Sequence, residues 1–315
     1  MKRIAVIGEI LVEVMADTDG EGFLEPQPLT GPFPSGAPAI FADQVAKLGQ
    51  PVSIVSAVGD DDFGRLNIER LSSDGVNTAA VYVDGGRPTG SAFVRYRSDG
   101  SRNFVFNISH SAAGHVNINA EVLNVLATAD HVHVMGSSLS SPELIELNFR
   151  AVDDVRTRGG TVSFDPNIRV EMMSAPGMAE ATRRILAKSD LFLPSNDEIF
   201  IFTVRKDLNG AVSELLDCGP RAIVHKRGAD GATYYDRDRA VDTKAYSVDE
   251  IDPTGAGDCF GGTFTTMWLR ESDPQDALRL AAASGALAVT RRGPMEGTAD
   301  MATLNAFLEH AEQVT

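Results

Sequence analysis

The sequence predicts an α/β fold: a mainly parallel, doubly wound sheet with a small antiparallel β lid. Three observations predict it. From residue 117 onward, apolar strands alternate with helical segments of about 10–15 residues, the pattern of a parallel sheet covered on both faces. Polar clusters fall at the carboxyl ends of those strands, where such sheets bind ligands. Residues 79–107 interrupt the alternation with short strands punctuated by Gly85-Gly86 and Asp99-Gly100.

In chain order, Lys2 to Ile7 reads as a buried strand, followed by Gly8-Glu9 and an apolar run, 11–15, that carries Glu13. Residues 17–34 read as loop, being rich in Pro and Gly. Ala39 to Leu48 has helical spacing, with Gly49 as its C-terminal stop. Val52 to Val58 is a strand, and Gly59 to Gly64 opens another helix. Ala80 to Val83, Ser91 to Arg97 and Asn103 to Asn107 are the short strands of a meander. Helices over 120–127, 142–158, 178–187 and 208–217 then lead to strands at 131–135, 161–164, 191–193 and 222–225. The whole reads as one domain, 1–315, whose lid is built from about 10–33 and 79–108, since no repeat or linker divides it.

Composition narrows the partners. Asp and Glu outnumber Lys and Arg by 44 to 28, for a formal net charge of −16. That field disfavours nucleic acid and anionic membranes, so any phosphate site must be local. No apolar run reaches the ~18 residues of a membrane span, and the apolar run after Met1-Lys2-Arg3 is too short for a signal-peptide core. Two cysteines, far apart, suit a reducing cytoplasm and no disulfide framework.

The chemistry concentrates at Asp252-Pro253-Thr254-Gly255-Ala256-Gly257-Asp258, ahead of an apolar helix from Cys259 to Leu269. A small-residue turn opening a buried helix presents free N–H groups backed by the positive end of the dipole, which makes an anion site. Asp258 reads either as a first-turn acid complementing that dipole or as an acid that handles a proton for a reacting anion. Phosphoryl transfer needs an anion cradle, a metal, a group for the acceptor hydroxyl and exclusion of water. Asp165, Asp197 and Glu198 are acids at other strand ends; each reads equally as a solvated loop or helix-start acid, and for Asp197 that plainer reading is preferred. There is no P-loop and no Gly-x-Gly-x-x-Gly after the first strand. His131 and His133 alternate along an apolar strand, as core histidines do, and Cys259 reads as a packing residue.

The turn, with Cys259-Phe260-Gly261-Gly262 behind it, resembles a signature of the PfkB (ribokinase-like) carbohydrate kinases. Gly8 to Glu13, Ser35 to Ala39, Val58 to Gly64, Asp165 to Arg169 and Ala288 to Gly293 resemble other blocks of that family in the same order, across the chain. The resemblance implies ATP-dependent phosphorylation of a sugar hydroxyl with Mg²⁺, often stimulated by a monovalent cation such as K⁺. By position it implies Asp258 as base and the N–H groups of Gly255, Ala256 and Gly257 on the phosphoryl group. It implies Glu198 on Mg²⁺ through water, and Ser195, Lys226 and Gly228 on the nucleotide. Asp252, Thr254, Ala288 and Gly293 match the monovalent-cation loop. Glu13, Gly36, Ala37, Arg102 and Arg169 fall in the sugar-binding blocks and lid, and the lid can also mediate homodimer contacts.

Three positions depart from the family pattern: Glu13 for Asp, Ser35-Gly36 with Ile40 for Gly-Gly with Asn, and Ser195 for the Asn of Asn-x-x-Glu. Phe106-Asn107-Ile108 stands before Ser111-Ala112-Ala113 where kinases of 2-keto-3-deoxygluconate carry Tyr-Tyr-Arg. A neutral ketohexose of the fructose or tagatose kind is therefore the expected substrate. A 2-keto-3-deoxygluconate kinase, a nucleoside kinase and a non-catalytic sugar-binding regulator are the alternatives.

Overall fold

A computed structural model describes residues 1–99, 101–168 and 177–314. In chain order the strands are β1 (Ile4–Ile7), β2 (Leu11–Ala16), β3 (Leu29–Ser35), β4 (Val52–Gly59), β5 (Val81–Asp84), β6 (Gly90–Tyr96), β7 (Arg102–Asn107), β8 (His131–Met135), β9 (Thr161–Asp165), β10 (Leu191–Phe192), β11 (Ala222–Lys226), β12 (Ala232–Tyr235) and β13 (Ala240–Thr243). The helices are α1 (Ala37–Lys47), α2 (Asp62–Ser73), α3 (Ala120–Thr128), α4 (Pro142–Thr157), α5 (Met178–Lys188), α6 (Glu198–Ile201), α7 (Leu208–Cys218), α8 (Ala256–Leu269), α9 (Pro274–Val289) and α10 (Met301–Leu308).

Among the described residues, nine strands form the large sheet in the order β13-β12-β11-β10-β9-β8-β1-β4-β5. Its strands are parallel from β11 to β5, and only β12 and β13 run against their neighbours. Burial on both faces explains the continuous apolar runs. Ile4 and Val6 pack with Ile40, Phe41 and Val45 of α1, whereas Ala5 and Ile7 join Val122 of α3 and Leu144 of α4. The strand order reverses between β1 and β8. The carboxyl ends there carry Gly8-Glu9 and Gly136 to Ser138, so the crevice opens at that switch point.

A second sheet, β3-β2-β6-β7, rises from the rim. Its outer pairs are antiparallel and its central pair, β2 with β6, is parallel from Leu11↔Gly90 to Met15↔Val94. Both central strands leave the large sheet from carboxyl ends, β2 after β1 and β6 after β5, so they must rise in the same direction. Two sequence readings are corrected here. Val81–Asp84, assigned from sequence to the lid, pairs with β4 and is the edge of the large sheet. The loop reading of 17–34 missed β3, which holds Pro32 and Pro34 because it is an edge strand and need not donate on its outer side.

The two histidines of β8 lie in the core, with neither ring exposed. His131 contacts the hydroxyls of Thr161 and Ser163, each at 2.8 Å, and His133 shares the Ser163 hydroxyl at 2.7 Å while stacking on Phe41. Burial holds both rings neutral, pulling His131 down to about 3 and His133 well below its ordinary value. Among the described residues, no helix is long and apolar enough to cross a membrane.

Candidate active site

A cleft of about 550 Å³ lies between the large sheet's carboxyl edge and the small sheet. One wall is the turn into α8. Gly255 sits there at φ +85°, and a Cβ on it would lie 2.5 Å from the Pro294 carbonyl oxygen, so glycine is required on two counts. Its left-handed turn starts the helix abruptly. The Cys259 N–H already donates to the Gly255 carbonyl, at 2.8 Å. The Ala256 N–H reaches back to the Pro253 carbonyl at 3.4 Å, while the N–H groups of Gly255 and Gly257 have no acceptor among the described residues. Gly255, Gly257 and Asp258 all line the cleft. Two N–H groups free at a helix N-terminus form a cradle that can accept an anion, with a carboxylate one residue on.

The end of β9 forms the floor. Asp165 is 2% exposed and its carboxylate pairs with Lys226, itself 7% exposed, from the end of β11. Burial pushes the Asp165 carboxyl up, and the Lys226 charge opposes that; Asp165 and Glu198 in turn hold the Lys226 ammonium protonated against its own burial. A Cβ on Gly257 would stand 3.9 Å from Lys226 Nζ, which places the ammonium beside the cradle. Asn167, two residues past Asp165, sends its side-chain amide to Asp258 Oδ1 at 3.4 Å. Glu198 accepts the N–H groups of Ile168 and Ser195, each at 2.7 Å, and thereby joins the β9 and β10 exits. Burial and the Asp165 charge push the Glu198 carboxyl up.

Next to the cradle, Asp252 is 1% exposed. Its carboxylate accepts from the Thr254 N–H at 3.0 Å, the Gly293 N–H at 2.9 Å and the Tyr96 hydroxyl at 2.6 Å. No Lys or Arg pairs with it among the described residues. Those three donors satisfy a carboxylate held out of water.

The sequence-predicted residues divide by position. Glu13, Gly36, Ala37, Arg102, Ser195, Glu198, Lys226, Thr254, Gly255, Gly257 and Asp258 all line the cleft. Ile40, standing where the family pattern has Asn, lines it too. Gly228 is exposed beyond the end of β11, and Asp252 and Gly293 lie behind the cradle. Ala288 is 1% exposed in the last turn of α9, and the next carbonyl, of Val289, accepts the Asp252 N–H. Arg169 lies outside the described residues. Cys259 is buried, its thiol pushed well up by burial and by the Asp258 charge, which suits packing and not nucleophilic attack. Asp197 is exposed and does not line the cleft. Sequence reasoning missed Tyr96 and the Asn167 contact to Asp258; the first has no local motif, and the second follows only from the meeting of β9 with α8. Among the described residues, no group of three or more His, Cys, Asp or Glu could hold a metal alone.

Known proteins resemble this chain along nearly its whole length. The profile of the pfkB family carbohydrate kinase matches residues 1–301. Fructokinase-1 of Oryza sativa subsp. japonica is 30% identical over 304 residues, covering 92% of each chain. An E. coli protein described as a candidate ribokinase II, solved without ligand, superposes at a TM-score of 0.93 with 43% identity, over 98% of this chain and 99% of its own. The same comparison holds for its complex with ATP and Mg²⁺, at 0.92. Fructokinase from Vibrio cholerae O395, in a fructose-, ADP- and potassium-bound double mutant, gives 0.85 at 26% identity over 98% of each chain.

Proposed function

The chain belongs to the pfkB family of carbohydrate kinases, and from that premise we propose that it transfers the γ-phosphoryl group of ATP to a hydroxyl of a ketohexose of the fructose type. The observation that carries this reading is the convergence, in one cleft, of the Gly255 to Gly257 turn with Asp258 and the buried Lys226. Asp258 accepts the proton of the sugar hydroxyl as it attacks. The N–H groups of Gly255 and Gly257, with the helix dipole of α8 behind them, meet the negative charge that develops on the moving phosphoryl. Ala256 contributes through the turn it closes. Asn167 orients Asp258.

The residues fit the nucleotide and metal that bind the E. coli relative. Glu198 lines the cleft and, among the described residues, accepts two N–H donors on its carboxylate, leaving acceptor capacity for a water of Mg²⁺. When bound, that ion neutralises charge on the phosphates. Ser195, Lys226 and Gly228 take the nucleotide side, and Asp252, Thr254, Ala288 and Gly293 form the loop that would receive K⁺. Glu13, Gly36, Ala37 and Arg102 line the sugar end, under a lid made by the small sheet.

A second reading has its own observation. Arg102 lines the cleft and pairs with no carboxylate among the described residues, so a sugar acid such as 2-keto-3-deoxygluconate would find a cation there. ADP release with fructose, tagatose, 2-keto-3-deoxygluconate and adenosine under one set of conditions separates these. Fructose or tagatose should give the highest kcat/KM. Preference for 2-keto-3-deoxygluconate or adenosine would replace the ketohexose reading, and absence of transfer to all four would favour a non-catalytic binding role. The exposed Val105 and Phe106 on the lid's edge strand β7 suit a homodimer, which a solution mass tests. A cytoplasmic setting is consistent with two free cysteines.

A further inference from the structure

Tyr96 closes β6 on the small sheet, and its side chain is only partly buried. It stands behind the cleft wall, beside Thr254, which lines it. Its hydroxyl nevertheless reaches 2.6 Å from Asp252 Oδ1, with the Thr254 hydroxyl 3.3 Å away. A phenol donating to a carboxylate is a charge-assisted bond, among the stronger ones a side chain makes. The same carboxylate holds the Thr254 N–H and the Gly293 N–H. Asp252 thus ties three segments together: the small sheet, the phosphoryl turn and the 290–295 loop.

The other contacts between the small sheet and these segments converge on the same place. Arg102 of β7 donates to the Thr254 hydroxyl at 3.3 Å. Arg292 pairs with Asp17 at 2.7 Å and donates to the Ala16 carbonyl at 3.1 Å. The Phe33 ring of β3 packs so closely on Gly293 that a Cβ there would lie 2.7 Å from it. The 290–295 loop in turn backs Gly255 through the Pro294 carbonyl. A displacement of the small sheet therefore has a direct covalent and hydrogen-bonded route to the N–H groups of the cradle.

We propose that Tyr96 is a positioning residue: through Asp252 it makes the geometry of the phosphoryl turn depend on the seating of the lid. Sugar enclosed by the lid and a formed cradle then occur together, and a displaced lid leaves the cradle loose. The inference rests on the sugar-kinase reading for its consequence in catalysis, but not for the coupling itself.

Tyr96→Phe removes the hydroxyl and keeps the ring. Amide hydrogen exchange in the protein without substrates is the first measurement. Exchange of the Asp252 and Thr254 amides in that turn, which donate to the Val289 carbonyl and the Asp252 carboxylate, should rise about ten- to hundredfold, the loss of one hydrogen bond to a charged group, while β6 and β7 keep their protection. With D-fructose and MgATP, kcat should fall by a similar factor of about 10–100, and KM for fructose should move by less than about threefold. Unchanged exchange in the turn overturns the proposal. Equal loosening of β6, β7 and the turn also overturns it, because Tyr96 would then only help fold the small sheet. If the wild-type protein phosphorylates no fructose, the substrate assignment falls, and the exchange comparison still decides the role of Tyr96.

Discussion

Replacing Lys226 by Met strands a carboxylate in the floor of the cleft. Asp165 is 2% exposed, Lys226 is 7% exposed, and among the described residues the only other donor to Asp165 is the Asn167 N–H, at 3.2 Å. Breaking a buried pair by removing one partner costs about 3–5 kcal/mol, whereas replacing both charges by neutral groups of similar volume is often close to neutral. Lys226→Met should therefore lower stability by about 3–5 kcal/mol. At a urea m-value near 3 kcal/mol/M, that is a fall of about 1–1.7 M in the unfolding midpoint, read by the fluorescence of Trp268. Adding Asp165→Asn to Lys226→Met should recover all but about 1 kcal/mol, since the stranded charge is gone. The pH dependence has a definite sign. Without Lys226 the folded Asp165 carboxyl lies further above its unfolded value, so the penalty is full above that folded pKa and shrinks as pH falls through it. A loss below about 1 kcal/mol, or no recovery in the double variant, would refute the claim that these two charges depend on each other.

Three further outcomes follow from other parts of the structure. Gly255→Ala must adopt a left-handed conformation and press its Cβ on the Pro294 carbonyl, so it should lose about 1–3 kcal/mol of stability by denaturant titration, and kcat should fall more than KM rises. His131 stays neutral in the folded chain down to about 3, while the unfolded chain protonates below about 6.5, so stability drops as pH falls through that window. His131→Asn should flatten the slope of stability against pH between roughly 4.5 and 6 by about 1.4 kcal/mol per unit, and an unchanged slope would count against a neutral buried ring. Arg102→Met should leave fructose turnover within about tenfold if the substrate is a neutral ketohexose, and should cost more than about a hundredfold in kcat/KM if a sugar acid is the substrate.

The large sheet was legible because its signal is local. Most buried strands are near-continuous apolar runs, and β8 spans the same residues in sequence and structure because His131 and His133, alternating with Val132 and Val134, do not break it. The second sheet was only partly legible. Pairing of β2 with β6 joins residues far apart in the chain, and no short-range pattern reports it. Val81–Asp84 looked like its neighbours in composition, and only the register with β4 shows that it belongs to the large sheet. β13 went unread because Ala240–Thr243 is short, half exposed and carries Asp242, and β12, though buried, is only the four residues Ala232–Tyr235. At the site, Asp258 was visible from the helix start beside it and from the ordered family blocks. Tyr96 was not, because its meaning lies in Asp252, 156 residues away.

Phosphoryl transfer in this cleft depends on Asp258 as the group that takes the hydroxyl proton beside the Gly255 to Gly257 turn. Asp258→Asn keeps the shape of the side chain, the start of α8 and the contact from Asn167. Turnover of the sugar accepted by the wild-type protein should fall by about 10²–10⁴, with the affinity for MgATP, measured by calorimetry, changed by less than about threefold. Near wild-type turnover in that variant would contradict a base role and return Asp258 to that of an acid at a helix start.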